Sequence, residues 1–104
     1  MNGTYVASAT GTVVGVGPLA AVTQVIYNGD GTGMVVINTR SLNGVTSTFT
    51  GIPATFTVNR DCTGTKTIGS THYNFVITPD GNTITFIVTD AGVTLMGTGV
   101  RFRH

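Results

Sequence analysis

Five short segments of turn chemistry punctuate this chain: NGDGTG at 28 to 33, NG at 43 to 44, NRDC at 59 to 62, PDGN at 79 to 82 and DAG at 90 to 92. Gly supplies positive φ at little steric cost, and Asn or Asp can hydrogen-bond the backbone two residues on. The intervals between these segments hold runs of Val, Ile, Thr, Phe and Tyr, whose branched or flat side chains suit a pleated surface. Nowhere do apolar residues recur at helical spacing for three turns, so no long helix is expected. Strands are expected at 3–13, 20–27, 33–42, 45–51, 54–59, 63–70, 72–78, 83–90 and 93–102. Only GVGPLAA, 15 to 21, is left for a single helical turn.

Eight or nine short antiparallel strands at even spacing fit a sandwich or a closed barrel. Tight sequential hairpins favour up-and-down order, and composition favours closure. Charged residues are 9% of the chain, against roughly 25% in an average soluble domain, so an open sheet edge would lack the charges that usually protect it. The expectation is all-β: one domain over residues 1–104, an antiparallel up-and-down barrel. Threonine supplies the polar exterior, recurring at alternate positions in 46, 48, 50, in 55, 57 and in 63, 65, 67. An exterior so weakly charged is poorly guarded against association, and 33–42 and 93–102 are apolar on both faces. A homo-oligomer is therefore expected.

Alternation assigns the inner face. Tyr5, Ala7, Ala9, Gly11 and Val13 share one side; so do Val45, Phe49 and Gly51, and Ala54, Phe56 and Val58. Tyr73, Phe75 and Ile77 form another such series, as do Ile84, Phe86 and Val88. Small residues at 7, 9, 11, 64, 97 and 99 leave room for a cavity, or mark bends where the sheet curls. The expected apolar lining is drawn from Tyr5, Phe49, Phe56, Tyr73, Phe75 and Phe86.

The opening NGTYV resembles the Gly-x-Trp start of the calycin barrels, lipocalins and avidins, with Tyr5 where those families carry Trp. Arg101 is the counterpart of their late-strand basic residue that covers the opening aromatic, and the resemblance makes it a candidate ligand-site residue. NGDGTG, TFTG, VNRDCTGT and FIVTDAG look like segments of small secreted bacterial barrels. Allene-oxide-cyclase-like barrels are similar in size and topology and often trimerise. The resemblance implies a barrel with a ligand cavity and an origin outside the cytoplasm, secreted or periplasmic. The MNGTY start is compatible with a leader replaced by Met1, and His104 with the first residue of a tag. The chain is shorter than a lipocalin and has neither its C-terminal helix nor its disulfides, so no particular ligand is implied.

Chemistry centres on Lys66, the chain's one lysine. Thr63, Thr65 and Thr67 take one side of their strand, which puts Gly64, Lys66 and Ile68 on the other. A lysine turned into an apolar barrel loses hydration, its pKa falls, and the neutral amine becomes a nucleophile for carbonyl compounds. The alternatives are a side chain that reaches out to water or a bulge at Gly64 that turns it outward. Asp90 extends the inner series of Ile84, Phe86 and Val88 to the rim, able to pair with Lys66 or Arg101 or act as a base; DAG is equally a turn. Arg40 shares a face with Met34, Val36 and Asn38, and Gln24 with Val22 and Ile26. Either suits a polar anchor in a pocket or a place in a subunit interface. Tyr5, Tyr27 and Tyr73 offer hydroxyls near the cavity or simply fill the core. His72 is expected to point outward.

Other functional classes find little support. Net charge is +1, and the five basic residues form no run that follows a phosphate backbone. No apolar stretch reaches the roughly 18 residues of a membrane-crossing helix. One cysteine, Cys62, and two histidines make no metal cluster, and no cofactor motif is present. The function expected is binding of a small apolar molecule inside the barrel. The alternative is cyclase, isomerase or amine catalysis there, by Lys66 with Asp90 or a tyrosine.

Overall fold

The computed structural model describes residues 1–103; the reading of His104 lies outside them. Eight strands follow one another: β1 (Gly3–Val13), β2 (Gly17–Tyr27), β3 (Thr32–Leu42), β4 (Val45–Val58), β5 (Thr63–Ile68), β6 (Thr71–Ile77), β7 (Thr83–Val88) and β8 (Val93–Arg103). Each pairs antiparallel with the next, and β8 returns to β1, so the sheet is a closed up-and-down barrel compatible with a calycin-like fold. Residues 15–21 form no helical turn: Gly17 already opens β2 opposite Val13. No helix of the described residues is long and apolar enough to cross a membrane.

The hairpins divide into two sets, one at each end. The turns at 28–31, 59–62 and 78–82 gather at one end with the start of β1 and the end of β8, and those at 14–16, 43–44, 69–70 and 89–92 at the other. Their chemistry explains why they close. Asp30 accepts from the Thr32 amide at 3.1 Å and hydroxyl at 2.6 Å, and Asp61 repeats this with Thr63 at the same distances. Asp80 accepts from the Asn82 amide at 3.0 Å and the Thr78 hydroxyl at 2.6 Å. These hydrogen bonds, chiefly from the threonine hydroxyls, hold all three carboxyls below the usual range. The first two turns are one motif used twice, Asn-x-Asp-x-Thr. Cys62 takes φ 67° in the slot where Gly31 has φ 90°, a conformation that strains a residue with a Cβ.

Where the expected nine strands become eight, the reason is a coupled irregularity. Residues 45–51 and 54–59 are one continuous strand, β4, because Gly51 at φ 66° absorbs a change of phase within it. Opposite Gly51, Val36 is the extra residue of a bulge: Gln24 pairs with Ile37 but Val25 with Val35. The inner face of β3 thus runs from Val35 to Asn38 and Arg40, not through Met34 and Val36. That of β4 runs from Phe49 to Ile52, Ala54 and Phe56. Val45 and Val58 lie beyond the enclosed length of the barrel and are exposed.

The remaining inner faces follow simple alternation, with Tyr5, Ala7, Ala9, Phe75, Ile77, Ile84, Phe86 and Val88 all buried. Gly64 is no outward bulge: a Cβ there would overlap the Thr57 carbonyl and the Phe75 ring, so its bareness lets Phe75 lie across the strand. A Cβ on Gly97 would likewise overlap the Ser8 carbonyl and Ala9, which brings β8 close to β1. The outer wall keeps Met34, Ile37, Met96 and Val100 exposed in the single chain, on 33–42 and 93–102 from which association was expected, and Val6 and Val22 are exposed as well.

Candidate ligand-binding site

One end of the barrel is plugged and the other holds a space. The plug begins with Tyr5, whose hydroxyl donates to the Gly81 carbonyl. Arg101, paired opposite Tyr5 across β1 and β8, fastens three segments together. It donates to the Asn2 carbonyl at 3.1 Å, to the Asp80 carbonyl at 3.2 Å, and twice to Asn82 Oδ1 at 3.1 and 2.7 Å. Phe56, Phe75 and Ile77 fill the barrel at this level. Tyr27 stacks edge-on against both Tyr5 and Phe56, with centroids 5.4 and 5.3 Å apart.

Above this floor lies a cavity of about 440 Å³. Its wall is mostly apolar: Ala7, Ala9, Leu19, Val25, Val35, Ile84, Phe86 and Leu95 among others. The lining continues to Val13, Val93, the 69–70 turn and Thr71 at the start of β6, so the space opens between the hairpins of that end. Arg40 and Phe49 stand at this mouth, the guanidinium 5.0 Å from the ring centroid. Thr23, Asn38, Ser70 and Thr71 add neutral polar groups.

Lys66 faces inward, as the threonine alternation predicts. It is 5% exposed and, among the described residues, the one buried charged side chain. Its strand neighbours are Phe56 on β4 and Tyr73 on β6. Nζ donates to Tyr27 Oη at 2.9 Å and lies 4.1, 4.9 and 5.6 Å from the ring centroids of Phe86, Tyr73 and Tyr27. Burial strips the ammonium of water and draws its pKa down to about 7. The hydroxyl and the electron-rich ring faces keep the charged form accessible. Burial also raises the Tyr27 phenol, with smaller contributions from Tyr73 and Tyr5. Tyr73 is raised by burial and then by the Asp90 charge, and Tyr5 by burial, so all three carry their protons at neutral pH.

The other sequence candidates fall in different places. Asp90 does not meet Lys66. Its carboxylate accepts from the His72 amide at 3.0 Å and contacts His72 Nδ1 at 2.8 Å. Those bonds, first the amide's, hold Asp90 below the usual carboxyl range, and the pair sits at the surface, His72 59% exposed. Arg101 belongs to the floor, and Phe56 and Phe75 to the packing around it. Gln24 shares the outer wall with Val22, since the inner series of β2 is Leu19, Ala21, Thr23, Val25 and Tyr27. Tyr5, Arg40, Phe49, Lys66, Tyr73 and Phe86 do line the cavity. Thr23 was legible in that odd-numbered β2 series and was missed, as were Thr71, which opens the inner series of Tyr73 and Phe75 on β6, and Ser70, one step beyond Lys66 and Ile68 on β5.

Comparison of the chain with family models, with curated proteins and with solved structures finds no match. The reading of this site therefore rests on its own geometry.

Proposed function

We propose that the barrel binds one small, largely apolar molecule in its cavity. The observation that carries this is the space itself: about 440 Å³, walled by aliphatic and aromatic side chains, with a few polar groups and one buried amine. Ligand sites typically occupy roughly 300–1,000 Å³ and combine an apolar wall with a few orienting polar groups. A protein that needed only a solid core would gain by filling this volume, because each missing contact forfeits dispersion and transfer energy. The plugged floor and the mouth between the 14–16, 43–44, 69–70 and 89–92 hairpins give the molecule one route in.

The test is titration with an environment-sensitive apolar dye, followed by displacement with decanol. Saturable binding of one dye per chain is expected, with decanol competing. Ala21 lines the upper wall, and Ala21→Trp is expected to abolish dye binding while leaving the thermal transition in place. A wild-type chain that binds neither dye nor decanol saturably overturns the reading.

A further inference from the structure

We infer that the molecule this cavity takes is an aldehyde with an apolar body, held covalently as an imine on Lys66 Nζ. The inference rests on the cavity being a ligand site, and it names the chemistry that distinguishes this pocket from a merely greasy one.

A buried amine in an apolar wall needs a reason. No carboxylate of the described residues supplies one: Asp30, Asp61 and Asp80 are held in the turns of the plugged end, and Asp90 is engaged by His72. Among the described residues the one ion pair is His72 with Asp90. What surrounds Nζ instead is one hydroxyl and three ring faces beside open apolar space. That environment suits a carbonyl better than an acid. A carboxylate would bring a second charge into the wall and would find a single cationic donor at this depth, so its desolvation would go largely uncompensated. An aldehyde brings no charge. The protonated imine it forms is a cation at the same position, and the faces of Phe86, Tyr73 and Tyr27 that attract an ammonium attract it equally.

The groups needed for the reaction are in place. The Nζ lone pair attacks the carbonyl carbon; a C–N bond forms while the C=O π pair moves to oxygen. A proton passes from nitrogen to that oxygen, giving a neutral carbinolamine. The nitrogen lone pair then forms C=N as the C–O bond breaks, and the hydroxyl leaves with a further proton as water. Amine plus aldehyde gives imine plus water, with no change of oxidation state. Tyr27 Oη, 2.9 Å from Nζ, is positioned to pass these protons. The free amine is available because desolvation holds Lys66 near 7. The titratable groups that face it are the phenols of Tyr27 and Tyr73, with Tyr5 stacked behind Tyr27, all raised by burial and therefore neutral there. Phe56 on β4 and Phe86 on β7 add no charge.

The experiment uses decanal with excess cyanoborohydride, which reduces an imine to a stable secondary amine, read by intact mass and peptide mapping. One adduct per chain at Lys66 is expected, adding the mass of decanal less one oxygen atom, and decanol should slow its formation in proportion to its occupancy. The trapping rate should rise through about pH 7 and then level, whereas an ordinary lysine keeps gaining reactivity to about pH 10. Lys66→Met should lose the adduct and keep slow labelling of the Met1 amino group, an internal control outside the cavity lining. Tyr27→Phe should slow trapping on the order of 10². Labelling confined to Met1 while decanol still displaces the dye overturns the imine and leaves the cavity reading standing. Failure of decanol to bind, with Lys66 unlabelled, overturns both. Labelling of Lys66 that decanol does not slow overturns capture within the cavity.

Discussion

At one end of this barrel three turns are each locked by an aspartate, and the Tyr5 hydroxyl and the Arg101 guanidinium both bond to the 78–82 turn. At the other, four turns carry few side-chain bonds. The contrast is in the chemistry of the turns as well as in their number. NGDGT, NRDCT and TPDGNT each place an acceptor where two donors converge. The opposite hairpins rely on positive φ at Gly15, Asn43, Gly44, Gly69 and Gly92 and expose Val14 and Val16. Their bonds between elements include Val14 N to Gly92 O at 2.8 Å and the His72–Asp90 contact. A ligand of the proposed site would have to cross one end, and opening is less costly where fewer buried groups lose partners. The difference teaches that the plugged end holds the fold together, while the open end is where a ligand of the proposed site would enter.

The sharpest way to break that comparison is Tyr5→Ala. Tyr5 is 1% exposed, stacks on Tyr27 and holds Gly81. Removing its ring leaves a cavity under the existing one and orphans the carbonyl, so a loss of about 5 kcal/mol is expected, at the top of the range for aromatic-to-alanine changes. Urea unfolding monitored by circular dichroism measures it. A loss under about 1 kcal/mol would mean that the floor does not anchor the barrel.

Lys66 stands where floor meets cavity, and pH reads its position. Its folded pKa, about 7, lies below the unfolded value of 10.5. Between those limits the unfolded chain binds more protons than the folded one, so stability rises with pH through that window. The gain should approach about 4 kcal/mol. The phenols have the opposite sign. Tyr5, Tyr27 and Tyr73 are raised above 10.0 in the folded chain. Above pH 10 the unfolded chain sheds those protons first and stability falls again. Lys66→Met should abolish the rise while keeping the alkaline fall, and should be more stable than the wild type at pH 7. Guanidinium unfolding from pH 6 to 11 tests this; a flat wild-type profile would mean that the amine is hydrated.

How much of this the sequence disclosed depends on the range of the signal. Alternation places Lys66, Tyr5, Tyr73 and Phe86 inside because a pleat has period two and most of these strands are regular. It errs on β3 and β4, where Val36 and Gly51 shift phase together. A glycine followed by Pro53 reads as a break, yet Pro53 keeps its place opposite Met34 and its carbonyl accepts from Gly69 N at 3.2 Å. The contacts that define the site are longer in range still. Tyr27 meets Lys66 across 39 positions of sequence, and His72 claims Asp90 across 18. Both are products of closure and shear, which no local pattern states. Arg101 was found through resemblance to barrels with a late-strand basic residue; it lies opposite Tyr5 in the β1–β8 pairing and bonds Asn2, Asp80 and Asn82, outside the cavity lining.

Two arginines give the smallest and most direct form of the comparison. Arg101 donates to the Asn2 and Asp80 carbonyls and to Asn82 at the plugged end; Arg40 lies over Phe49 at the mouth, exposed. Arg101→Ala removes four exposed hydrogen bonds from a charged donor that tie the 78–82 turn and Asn2 to β8, and a loss of about 1–2 kcal/mol is expected in thermal or urea unfolding. Arg40→Ala removes an exposed cation–π contact, so stability should change by no more than about 0.5 kcal/mol. Dye-binding rates should respond to Arg40→Ala instead, because the guanidinium covers part of the entrance. Equal losses from the two substitutions would erase the distinction between an end that holds and an end that admits, and would place the ligand's route elsewhere in the wall.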